Sequence, residues 1–405
     1  MKLLTVITVG ILFAENCMGA GVTHYVATNG VNIFPYTNWA DAANTITAAV
    51  AASAAGDTVL VSNGVYTTTP GSHIAISIGI TVASVNGYAH TTVAGNQPPT
   101  VSNNVFLLDH PDIVVDGFTI TNGYADRGGG IFLYRGTVRN CLVTGNTAAG
   151  GGNRCGGGIF MNNPGSTDYS LYRVIENCII ECNIALGVGG GAYGVQGAKV
   201  INCIIRNNTG IEGGAIKMSG QRWDLKNCLI YNNQQINSSC DGGGLSVASS
   251  VSNSTVVNCT IVSNYSARYA GGVFIAGHAD TNLFVNCIIY SNACESGSST
   301  NGDIYDNWYP TNNYPLFFYC CSTSNRTFQA GENNNITHEP IMRDWANQNY
   351  RLRMNSPCVN TGTNQDWMTN AVDLESNARI LNNIVDMGAY ETILWQGSIY
   401  HIGNQ

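Results

Sequence analysis

Six stretches of the chain repeat one short alternation of polar and apolar positions. NCLVTGN begins at Asn140, NCIIECN at Asn177, NCIIRNN at Asn202, NCLIYNN at Asn227, NCTIVSN at Asn258 and NCIIYSN at Asn286. In each, Val or Ile stands two residues beyond the cysteine and Asn five residues beyond it. DGFTITN from Asp116 is a degenerate seventh copy, with Gly117 in the cysteine place and Asn122 in the last. Successive starts lie 24, 37, 25, 25, 31 and 28 residues apart. Glycine clusters precede the six full copies, at 128–130, 156–158, 189–191, 213–214, 242–244 and 271–272, and an apolar residue follows each cluster. One unit therefore holds three short strands and no helical periodicity, which is one coil of a parallel β-solenoid.

Stacking then dictates what each position does. Coils about 4.8 Å apart set every side chain over its counterpart one turn away. Val138, Ile175, Val200, Leu225, Val256 and Phe284 form one inward ladder. The residues two beyond each cysteine form a second, and the cysteines a third. Asn tolerates left-handed corners, and its amide can bond the same amide above and below. That explains 49 Asn against 25 Asp+Glu. The laddered cysteines are expected as small buried apolar residues. Cys155, Cys182, Cys240, Cys294, Cys320, Cys321 and Cys358 stand off the ladder, and their pairing is not readable from spacing.

The ends break the pattern. Met1-Lys2, the apolar run 3–14 and small residues up to Ala20 predict a secretory signal over 1–20, with no membrane-spanning segment in the mature chain. An N-terminal cap and first strands are expected over 21–72, with an amphipathic capping helix in 38–55. Coils follow over 73–294, then irregular final coils and a closing segment over 295–391, and a tail over 392–405. A formal charge of −8, with 17 Lys+Arg, excludes nucleic acid as a main partner.

GDTVLVSNGVY near residue 60, the NCxIxxN repeats and the terminal SPCVNTGTN…DMGAYE resemble the right-handed parallel β-helix proteins of the pectin-lyase-like superfamily. Within it they are similar to exported bacterial β-helix proteins of the choice-of-anchor type. The GGAI that follows IIRNN is also similar to the repeats of polymorphic outer-membrane proteins. The resemblance implies an all-β right-handed parallel β-helix whose walls act on, or bind, extracellular polysaccharide. It does not extend to the Arg- and Asp-rich motifs of pectate lyases or the clustered Asp of polygalacturonases.

Lyases of this superfamily remove a proton with Lys or Arg, and a cation such as calcium acidifies it. The coil GGAIKMSGQRWDLKNC offers Lys217 and Arg222 as base and acid, Asp224 beside them and Trp223 as a sugar-stacking surface. Residues 162–173 and 234–240 would wall a cleft over Lys217. Two residues past each glycine cluster stand Phe132, Phe160, Tyr193, Ile216, Ser246 and Phe274. Facing out, this row with Tyr193 would stack on sugars; facing in, it is core, the reading that an apolar Ile216 beside Lys217 favours. His278 in AGHAD is a loop histidine able to bind substrate, and Asp303 with Asp306 could ligate calcium. Two functions follow: a non-catalytic polysaccharide-binding β-helix protein, secreted or at the cell surface, and a polysaccharide lyase acting on a uronic-acid polymer.

Overall fold

A computed structural model describes residues 21–95, 103–162, 173–276, 281–295, 302–306, 316–323, 328 and 331–393. The predicted signal at 1–20 lies outside them. The chain winds as a right-handed parallel β-helix whose strands stack into parallel sheets of 18, 10 and 7 strands. Counterparts pair one turn apart, as in Leu142↔Ile179, Ile179↔Ile204 and Ile204↔Leu229. Strands Phe106–Asp116 and Ile131–Arg139 join the largest sheet, each pairing with two shorter strands of a neighbouring coil and with each other across register shifts between Leu133 and Thr137.

Asparagine makes the corners. Asn140, Asn177, Asn202, Asn227, Asn258 and Asn286 all hold φ between 51° and 55°, the left-handed region. The residue after each is a cysteine whose Sγ donates back across the corner, as from Cys141 to Arg139 O at 3.1 Å and from Cys203 to Ile201 O at 3.2 Å. The stack runs from Cys141 to Cys320, fully buried, with unpaired thiols.

A second asparagine row lies inside. The main-chain N–H and the Nδ2 of Asn146 both donate to Asn183 Oδ1, at 3.1 and 3.0 Å. Asn183, Asn208, Asn233, Asn264 and Asn292 repeat this upward, and the row ends where Asn292 donates twice to Asp303 Oδ1, at 2.8 and 2.9 Å. The degenerate copy is shifted by one. Thr119 pairs with Leu142, so Phe118 rather than Gly117 fills the cysteine place. Gly123 stands where the others carry the inner Asn, donating its N–H to Asn146 Oδ1.

The capping helix is Ile46–Ala52, shorter than the 38–55 stretch that suggested it. Thr45 Oγ1 accepts from Ala48 N–H at its start, and upstream Asn38 Oδ1 takes Asp41 N–H into a turn instead. Ile46 and Ala49 plug the first coil.

The closing segment goes elsewhere than the solenoid's end. Coils continue through Leu316–Phe318 and Cys321–Ser322, and then residues 339–391 fold back along the outer wall of the ten-stranded sheet. Their hairpin, Met342–Asp344 with Asn349–Leu352, brings Met342, Tyr350 and Leu352 onto Leu229, Tyr231, Val262 and Ile288. Corner asparagines hold the strap: Asn258 Nδ2 donates to Asp386 O at 3.0 Å and Asn286 Nδ2 to Thr363 O at 2.9 Å. Beneath it Arg379, fully buried, pairs with Glu391 at 2.9 Å.

Candidate functional site

The coil carrying Lys217, Arg222, Trp223 and Asp224 splits between core and two separate stretches of wall. Trp223 is no sugar platform: it is 1% exposed and belongs to the central core. The cause lies one coil below. A Cβ on Gly194 would sit 2.4 Å from Trp223 Cζ2, so the missing side chain makes the room that the indole fills. Its Nε1–H is satisfied by Ser219 O at 2.9 Å.

Register corrects the aromatic row. Ala215 takes the third glycine place, its N–H and C=O bonding Gly243 and Gly191. Lys217, not Ile216, therefore aligns with Tyr193 below and Ser246 above, and the row reads Phe132, Phe160, Tyr193, Lys217, Ser246, Phe274, Tyr305. Alternation sends this row outward, while Ile159, Ile216, Leu245 and Val273 beside it point into the core. The outward row is nonetheless closely covered. Phe160 is 1% exposed, 4.9 Å from the Phe132 ring and 5.6 Å from that of Tyr193, with the Arg127 guanidinium 5.5 Å above it.

Lys217 is buried here, and its ammonium donates to Glu212 Oε1 and, at 3.1 Å, to Ser246 Oγ. Ser246 in turn donates to Glu212 at 3.2 Å. Burial pushes the Tyr193 phenol up and the Cys155 thiol up to about 11, so both stay protonated near neutrality. Burial also raises Asp241, against the pull of Arg268. Lys217 is thus held as one half of an ion pair. Of the expected cleft walls, residues 163–172 lie outside the described residues.

Asp224 opens the next strand of the coil, Asp224–Lys226, with Arg222 at the corner before it, and both face a different place. With Trp223, Lys226, Asn253 and Thr255 they line an open groove of 430 Å³ on the outer face of the largest sheet. Arg222 is exposed at φ 61°. Lys226 Nζ donates to Asp224 Oδ2 at 2.9 Å, and Thr255 Oγ1 to its Oδ1 at 2.8 Å. Lys199, half-buried, sits one coil below in register with Asp224. Beside the groove stands Trp367 of the C-terminal strap, whose ring centroid lies 5.3 Å from Lys226 Nζ. Trp367 is oriented by its Nε1–H donating to Gln365 Oε1 at 2.7 Å. Nothing in the repeat points to it; the signal was an aromatic in a non-repetitive segment. A larger cavity of 630 Å³ beside the capping helix is lined by neutral polar and apolar residues with His73, and offers no Lys or Arg.

His278 lies outside the described residues. Asp303, the expected calcium ligand, is 3% exposed and terminates the inner amide row, with Thr323 Oγ1 on its second oxygen at 2.8 Å. Among the described residues no three His, Cys, Asp or Glu side chains gather as a metal site.

Comparison with known proteins matches the fold. Pectate lyase Pel9A superposes with a TM-score of 0.55 at 17% identity, over 92% of this chain and 97% of that one. A pectin methylesterase from Aspergillus niger is similar at a TM-score of 0.36 and 12% identity, over 79% of this chain and 91% of its own. No family model matches the sequence, and no curated protein does. The chain is a right-handed parallel β-helix of the pectin-lyase-like fold.

Proposed function

We propose that this is an exported protein that binds anionic, uronic-acid-containing polysaccharide without cleaving it, along the groove of Arg222, Lys199 and Lys226. The observation that carries the reading is the meeting of those cations with Trp367 on one outward face, in a chain of net charge −8. Guanidinium and ammonium groups bond sugar carboxylates, and an indole offers its face to the C–H side of a ring. Asn253 and Thr255 add the neutral hydrogen-bonding groups that fix hydroxyls. Lys217, engaged by Glu212, is poorly suited to take a proton.

Affinity electrophoresis in polygalacturonate gels tests this. The wild type is expected to be retarded, and Arg222→Ala with Lys226→Ala to lose at least tenfold in affinity, while a neutral galactan retards neither. Equal retardation of variant and wild type would remove the groove from the account. One feature favours a lyase as a second reading: Arg222 stands exposed in the groove, and lyases of the superfamily that the repeats resemble remove a proton with Lys or Arg. Ultraviolet absorbance from unsaturated sugar ends, present in wild type with or without calcium and absent in Arg222→Ala, would decide for it.

A further inference from the structure

Two thiols meet where the C-terminal strap crosses the last coil. Cys321 pairs with Ile288 in the ten-stranded sheet, and its side chain alternates outward while that of neighbouring Cys320 enters the inner cysteine stack. Cys358 comes from the strap and enters the same apolar cluster, and both residues are fully buried. Hydrogen bonds hold the two against each other. Cys321 Sγ donates to His338 O at 3.2 Å. Two residues on, Pro340 O accepts Ser356 Oγ–H, and Ser356 Oγ accepts Cys358 N–H at 3.2 Å. Met387 N–H closes the far side on Cys358 O at 3.0 Å.

The seven stacked cysteines are different: all lie in the inner stack at repeated corners of the coil. Cys321 and Cys358, both free thiols here, are in side-chain contact across two segments 37 residues apart in the chain. We propose that Cys321 and Cys358 form a disulfide that staples the strap to the solenoid wall. The oxidant is a small-molecule disulfide or a thiol–disulfide exchange protein. One thiolate attacks it and releases one thiol, and the second thiolate then displaces the other half. The balance is two cysteine thiols plus one disulfide giving the staple plus two released thiols, which carry both protons.

Order of events follows from burial. Proximity to Cys358 and burial push the Cys321 thiol well up in the folded chain, so exchange takes place while the strap is docking and not after. Once formed, the bond is sealed from reductants by the cover that hides both sulfurs. Trp367 lies nine residues beyond Cys358, so the staple also anchors the segment that stacks on Lys226. The inference rests on the exported reading only for its oxidant.

Full-length chain, reduced and unfolded, is refolded with glutathione disulfide, denatured, alkylated with iodoacetamide and digested without reductant. The expected product is a linked peptide pair joining residue 321 to residue 358 by fragmentation, lost in Cys321→Ser and kept in Cys294→Ser. Cys358 recovered fully alkylated, or linked to another cysteine, would overturn the pairing whether or not the chain is exported. In the linked protein, cleavage by proteases within 331–391 should slow several-fold relative to Cys321→Ser. Equal rates would show that the bond staples nothing.

Discussion

Every inner asparagine is a directional part, and the direction explains why the row can end on a carboxylate. Asn233 Nδ2 donates to Asn264 Oδ1 above and to Ile205 O and Tyr231 O, while its Oδ1 accepts twice from Asn208. A carboxylate there would face three acceptors, so Asn233→Asp should cost about 3 kcal/mol or more in urea unfolding. Asp303 is tolerated because the last member only accepts. Burial raises its pKa above the ordinary 3.8, so the folded chain binds that proton more tightly than the unfolded chain. Its contribution to stability therefore falls as pH rises from 3.8 through the native value. Asp303→Asn should keep the row and abolish this slope in denaturation midpoints taken across that window; an unchanged slope would contradict it. Gly194→Ala should destabilise by roughly 2–4 kcal/mol, since the new methyl meets the Trp223 ring at 2.4 Å. Trp223 looked like a surface residue because its reason for burial is a vacancy 29 residues earlier. The single-residue slips, Ile216 for Lys217 and Gly117 for Phe118, have a like cause. Ala215 acts as a third glycine and Phe118 as a cysteine, substitutions that only the stacked neighbours reveal.

Among elements, the coils were legible and the strap was not. Repetition at 24 to 37 residues announces stacking, and the inward ladders from Val138 to Phe284 are buried as expected. Residues 339–391 carry no repeat, and the face they cover is visible only once Leu229, Ile288 and Cys321 are seen to alternate outward on one sheet. Their docking rests on a buried charge cluster. Arg379 Nη2 bonds Glu391 and the carbonyls of Asp386 and Gly388, at 2.9, 3.3 and 3.0 Å. Burial drives the Glu391 and Asp386 carboxyls up, and Arg379 opposes this. Arg379→Leu should leave these carboxyls without their cation, at about 3–5 kcal/mol. The expected result is faster proteolysis within 331–391 and new binding of an apolar dye to the uncovered Leu229–Ile288 wall, with far-ultraviolet circular dichroism of the coils retained. Loss of all signals together would mean that strap and solenoid unfold as one unit.

At the scale of the whole molecule, a scaffold of few charges concentrates its cations. The chain has only four lysines: Lys2, Lys199, Lys217 and Lys226. Lys199 and Lys226 flank the groove, whereas Lys217 is buried against Glu212. The pectin-lyase-like fold was readable from the repeat, but the proposed binding face was not, because Trp367, which stacks on Lys226 beside the groove, comes from a segment far along the chain. Reductive methylation of lysines, read by mass spectrometry with and without oligogalacturonate, tests the central claim most directly. Lys199 and Lys226 should react in the free protein and be protected several-fold by the sugar, and Lys217 should react slowly in both. Protection centred on Lys217, or none at Lys199 and Lys226 under saturating ligand, would contradict the groove as the binding site.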